Sequence, residues 1–311
     1  MEVKILFKNL LVPVDGSTLA ESALPWAWWL AHHTGATVAL LHVIERHAPR
    51  LVHGEPHLSD VANATSYLEG LVGRRPAGVS VQTHVHTVPE GDVAGSIARH
   101  THELGTDLVV LSTHGRPGVR GLLLGSIGQQ VLRQALNPVL LARPGSAPPR
   151  EPGSALCSSR SAAEEAEKVL PAAAELARRT HASLRLLYVV PTLGTVRGDQ
   201  TASARVSPLA TTALLDAQQE RAVEYARGIV EDLRSQGMDS RAEVVRGDAV
   251  EAVCEAARKP EVGLVAMASH GHSASPHSGH RRRHGSSGAR GKAACSSIQA
   301  TVTGKIATPA V

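Results

Sequence analysis

The chain has 311 residues, 42% of them hydrophobic, enough for two cores of about 150 residues each and too apolar for a disordered polymer. Aromatic residues make up 2%, which leaves no stacking platform for single-stranded nucleic acid, and no apolar run reaches the roughly 18–20 residues that span a bilayer. The net charge of +4 belongs to one end: from Val262 onward there are six Lys/Arg and no acid, so the remainder carries −2 and argues for no nucleic-acid partner.

In chain order, Ile5 to Val14 is an apolar run ending at Asp15-Gly16-Ser17, which predicts a buried strand and a turn. Thr18 to Glu21 has capping-box spacing and opens a helix to Thr34, stopped by Gly35. Pro25 should kink that helix or mark a second start. Thr37 to Ile44 is a strand, Leu58 to Gly73 a helix, Val79 to Val88 an alternating strand, and Asp92 to Leu104 a helix. Asp107 to Thr113 reads as a buried strand, Gly125 to Leu136 as a helix, and Pro138 to Ala142 as a last strand. Strands separated by helices predict an α/β fold: a doubly wound, parallel, five-stranded sheet.

The unit recurs. Leu24 to Val43 lies over Leu170 to Val189 without a gap, with ten of twenty positions identical. Gly91-Asp92 then falls on Gly247-Asp248, and His114-Gly115 on His270-Gly271. Anchors in one order predict two tandem sheets, joined by a Pro/Gly/Ser linker from Arg143 to Pro149. The expected domains are residues 1–145, a degenerate copy at 146–271, and a basic low-complexity tail at 272–311.

In an open α/β sheet, ligands bind beyond the carboxyl ends of the strands, where strand order reverses. Asp15 and Val43 stand at two such ends, and the loop from Ser112 to Ser126 stands at a third. Gly115 and Gly118 let that loop approach a ligand closely. Gly125-Ser126 opens a helix whose free N–H groups favour a phosphate, and Arg116 or Arg120 could add positive charge. Each feature alone is more often a turn, a cap or a solvated cation. His114, the His32-His33 pair and the Trp26, Trp28 and Trp29 cluster read as structural or packing residues, and no metal site is expected.

The joint arrangement resembles the universal stress protein family over Leu10 to Arg143, and in pieces over the second copy. The opening appears as Val12-Pro13-Val14-Asp15-Gly16-Ser17, and the loop as Ser112-x2-Gly115-x9-Gly125-Ser126, with serine where the family has its first glycine. The resemblance implies an adenine nucleotide alpha hydrolase-like sheet of order 3-2-1-4-5. It implies that Pro13, Val14, Asp15 and Val43 meet the adenine and ribose of ATP. Ser112, His114, Gly115, Arg116 and Gly118 would wrap ribose and phosphates, and Gly125, Ser126 and Ile127 would hold the phosphate tail, with or without Mg. No P-loop pattern and no general base are evident, so binding with slow or no hydrolysis is expected in a regulatory, stress-response role. A slow ATPase or adenylyl-transferring enzyme and a nucleotide-free scaffold are the alternatives.

The second copy is read as incomplete. Its first strand and carboxylate are missing by the repeat offset, and after Gly271 similarity gives way to His, Arg, Gly and Ser. A reading-frame shift is favoured over a natural basic tail, and a specific nucleic-acid site is not expected. Without a fifth strand in that copy, Pro138 to Ala142 would be an open edge, which predicts a homodimer through it. The three cysteines, far apart and odd in number, suggest neither a disulfide framework nor a zinc site, and the start carries no leader pattern. The cytoplasm is the expected location, with no membrane association.

Overall fold

The computed structural model describes residues 7–113, 126–134, 137–149, 154–159, 164–196, 206–268 and 300–304. Its first unit begins with β1 (Asn9–Pro13), α1 (Thr18–Glu21), α2 (Leu24–Thr34) and β2 (Thr37–Glu45). A hairpin of β3 (Leu51–Val52) and β4 (Glu55–Pro56) follows, then α3 (Val61–Gly73), β5 (Ser80–Glu90) and α4 (Val93–Glu103). The unit closes with β6 (Leu108–Ser112), α5 (Ser126–Gln134) and β7 (Val139–Ala142). Its five long strands are parallel in the order β5-β2-β1-β6-β7, the expected 3-2-1-4-5. Leu10, Leu11 and Val12 are fully buried, as a central strand covered on both faces requires.

The helix expected from Thr18 to Thr34 is two helices. Ser17, rather than Thr18, caps α1, and Pro25 sits in the first turn of α2, where its missing N–H breaks no bond. Gly35 closes α2 at φ 71°, a left-handed cap. Asp60 caps α3, so that helix starts three residues later than the apolar pattern suggested. The β3–β4 hairpin was not foreseen; His53 and Gly54 make its turn with φ of 52° and 89°.

The second unit contains β8 (Ser154–Ser159), α6 (Glu164–Arg179), β9 (Ser183–Val190) and α7 (Pro208–Ser235). It continues with β10 (Ser240–Arg246), α8 (Ala249–Ala257), β11 (Val262–Ala268) and β12 (Ala300–Gly304). The order β10-β9-β8-β11-β12 repeats 3-2-1-4-5. Because β12 runs parallel to β11 and antiparallel to β7, the two sheets form one sheet of ten strands.

Three expectations are corrected here. A first strand of the second copy exists: β8 lacks an apolar run but is paired on both sides, by β9 and β11, and this context overrides its weak propensity. A fifth strand also exists, inside the segment read as a tail. It occupies the edge of β7, so the open edge from which the homodimer was argued is filled within the chain. Cys254, buried on α8, is disulfide-bonded. The stretch between β11 and β12, where the counterpart of α5 would fall, lies outside the described residues.

The two units share a core. Trp26 is fully buried, its indole N–H donates to Ser146 Oγ at 3.1 Å, and its cluster includes Ala172 and Leu176 of α6. On the opposite face of the first sheet, α4 and α5 cover Leu11, Leu41, Val109 and Leu111.

Candidate functional site

At the carboxyl ends of β1, β2 and β6 lies a cavity of about 310 Å³, within the size range of small-ligand sites. Pro13, Val14, Asp15, Val43, Ser112, Ser126 and Ile127 all line it. These are the described members of the expected site, and the fold brings every one of them to a single crevice. His114, Gly115, Arg116, Gly118 and Gly125 lie outside the described residues.

The acidic wall is built by local geometry. Val14 N–H donates to Leu41 O at 2.9 Å, carrying the β1–β2 pairing to the residue before the turn. Gly16 then takes φ 91°, a left-handed conformation that costs glycine little. Asp15 Oδ1 accepts from the Ser17 amide at 3.0 Å and from Ser17 Oγ at 2.6 Å, while Ser17 Oγ accepts from Ala20 N at 3.1 Å. One carboxylate oxygen is thereby fixed to the capped start of α1. The other, Oδ2, has no hydrogen bond among the described residues. The charge reaches outward too: burial first, then Glu21 and Asp15, hold the Tyr67 phenol far above its ordinary pKa, so it stays protonated.

The opposite wall is the first turn of α5, where Ser126, Ile127 and Gly128 border the cavity. The start of a nine-residue helix brings N–H groups that have no partner within the helix, and its positive dipole end, to that border. The crevice therefore has an acceptor side and a donor side. The residues present fit a nucleotide: the helix-start amides and the Ser126 hydroxyl suit phosphate oxygens, and Asp15 suits a donor on the nucleoside. Among the described residues, no group of three or more His, Cys, Asp or Glu side chains could hold a metal ion.

The sequence reading missed the roof. Glu55 of β4 accepts from Thr18 N at 3.0 Å and Thr18 Oγ1 at 2.8 Å, which docks the hairpin on the start of α1. This brings Val52, His53 and His57 over the cavity. His42, 1% exposed, places its ring nitrogens 2.8 Å from Val14 O and 3.0 Å from Leu58 O, tying β2 to that roof. Glu45 and His57 pair at 3.4 Å. Neither belongs to a recognisable motif, and only the fold of the segment after β2 brings them together.

The universal stress protein family profile matches residues 6–143 and 161–284. Universal stress protein YxiE of Bacillus subtilis is 28% identical over 149 residues, covering 44% of this chain and all of that protein. Universal stress protein G of Salmonella typhimurium is 31% identical over 149 residues, with the same coverage. The solved universal stress protein from Archaeoglobus fulgidus superposes with a TM-score of 0.66 at 16% identity, covering 96% of this chain and 98% of that one, a likeness of fold. No helix among the described residues is long and apolar enough to cross a membrane. Two profile matches over most of the length, a relative matched over its whole length, and a fold in common make this chain a member of the universal stress protein family.

Proposed function

We propose that the first unit binds an adenine nucleotide of the ATP type in the crevice between β1, β2 and α5, in a regulatory role with slow or no hydrolysis. The observation that carries this reading is the convergence of Asp15, Val43, Ser112, Ser126 and Ile127 on one cavity, to which the carboxylate and the start of α5 both contribute. In it, the α5 amides and Ser126 hold phosphate oxygens while Asp15 accepts from the nucleoside.

The test is mass spectrometry of nucleotide co-purifying with the wild-type chain, paired with equilibrium binding of ATP. Asp15→Ala and Ser126→Ala are each expected to weaken ATP binding by about tenfold or more, the loss of a hydrogen bond to a charged group. A wild-type chain that binds no nucleotide, or variants that bind as tightly as it does, would sink the proposal.

A further inference from the structure

Both ring nitrogens of His42 face carbonyl oxygens: Nδ1 lies 2.8 Å from Val14 O and Nε2 lies 3.0 Å from Leu58 O. A carbonyl oxygen only accepts, so each contact needs a hydrogen on the nitrogen. A neutral imidazole carries one such hydrogen and would turn a lone pair toward the second oxygen. The ring that satisfies both is the imidazolium, which donates from Nδ1 and from Nε2. His42 is 1% exposed, so its hydrogen bonds must come from the protein. A charge at that depth is tolerated where they are complete.

The titratable side chains that share the cavity with His42 are Asp15 after β1, Glu45 at the end of β2, and His53 and His57 of the roof. The His57 ring centroid lies 6.4 Å from that of His42, and His57 pairs with Glu45 at 3.4 Å. The described cavity residues thus include two carboxylates and no lysine or arginine, a setting that suits a cation. The two oxygens belong to different walls. Val14 directly precedes Asp15, and Leu58 directly follows His57, where the roof runs toward α3. Glu55 anchors the roof to Thr18 at the start of α1, and His42 is its tie to β1 and β2.

Resting on the nucleotide reading above, we propose that His42 is the positioning residue of the crevice: as an imidazolium it clamps the roof to the strand end that carries Asp15, and loss of one proton frees one of the two walls and weakens nucleotide binding.

The experiment follows the ring nitrogens of His42 by NMR, assigned in the wild-type chain, alongside ATP dissociation constants over the same pH series. Both nitrogens are expected to carry hydrogen at the pH of tightest ATP binding. As pH rises and the second hydrogen leaves, ATP affinity should fall by about tenfold, the loss of one hydrogen bond from a charged group. His42→Gln keeps one donor and cannot charge, so it should bind ATP with the weaker constant throughout. The ratio of the two proteins' constants then separates His42 from the titration of ATP and of the other histidines. Circular dichroism melting of His42→Gln separates a lost fold from a lost clamp, and the wild-type nitrogen signals stand whether or not that variant folds. A bare ring nitrogen at the pH of tightest binding, or one pH profile shared by wild type and folded His42→Gln, overturns this inference alone. A wild-type chain that binds no ATP overturns the crevice reading and the proposed effect on affinity, and the nitrogen signals still decide the charge of His42.

Discussion

The two units share a topology and differ at the same place. In the first, the carboxyl end of β2 opens at Val43 into the crevice. In the second, the chain leaving β9 folds back so that Val190, Val196 and Leu215 pack together, with Ala222 and Val244 against them. The helix that follows is also longer, 28 residues in α7 against 13 in α3. At 1.5 Å per residue that is roughly 42 Å against 20 Å. The register adds a second difference: Pro13 pairs with Leu41 and Ser158 with Leu187, the repeat equivalent of Leu41. By that register the place of Asp15 falls on Arg160, one residue before the offset of the flanking helix, and a cation stands in sequence where the carboxylate should be. A doubly wound sheet keeps its architecture when the segment beyond its second strand changes, because the fold is held by the strand and helix faces.

That contrast can be attacked directly. Leu215→Ala hollows the Val190, Val196 and Leu215 cluster of the second unit, and should cost about 2–5 kcal/mol in urea unfolding while leaving ATP affinity unchanged. A loss of ATP binding at equal folded fraction would mean that the second unit takes part in the site. Gly16→Ala places a Cβ in a left-handed position, 2.9 Å from Leu58 Cγ. It should cost about 2–3 kcal/mol and weaken ATP together with stability, since Asp15 is its neighbour.

The Gly-Asp pair common to both units has one job in each. Asp92 Oδ1 accepts from Gly95 N at 2.9 Å, and Asp248 Oδ1 accepts from Val250 N at 2.9 Å. Asp92→Ala and Asp248→Ala should each lose about 1 kcal/mol of stability, with an additive double variant. A difference of several-fold between them would show that the caps are not equivalent.

The smallest effect is expected from His84, whose pKa is lowered from 6.5 by burial first, then by His100 and His86. The unfolded chain then binds the proton more readily than the folded one, so stability is fully present above pH 6.5 and declines as pH falls toward the folded-state pKa. His84→Asn should flatten that decline in a Tm-against-pH series, and an unchanged slope would contradict it.

The first unit was legible because local and global signals agree there. Leu108 to Leu111 is an unbroken apolar run, and it forms the buried part of β6. Gly35 stops α2 where its lack of a Cβ suggests. The second unit was less legible because β8 and β12 are specified by what they pair with. Ser154–Ser159 is short, rich in serine and without alternation, and only β9 and β11 make it a strand. The strand-end residues that line the cavity, Asp15, Val43 and Ser112, could be read from where the apolar runs stop. His57 and Glu45 could not, because a two-residue turn at His53-Gly54 folds the intervening chain over the cavity and no spacing rule announces it.

The seam between β7 and β12 is four residue pairs long, from Ala300 opposite Ala142 to Thr303 opposite Val139. Its antiparallel sense turns the carboxyl ends of the two halves toward opposite margins of the sheet, so whatever docks at the first crevice approaches from a side the other half never sees. The same short seam makes the molecule its own mate. Without residues 300–304 the β7 edge would present a row of unpaired N–H and C=O groups, the template on which strands of separate molecules associate.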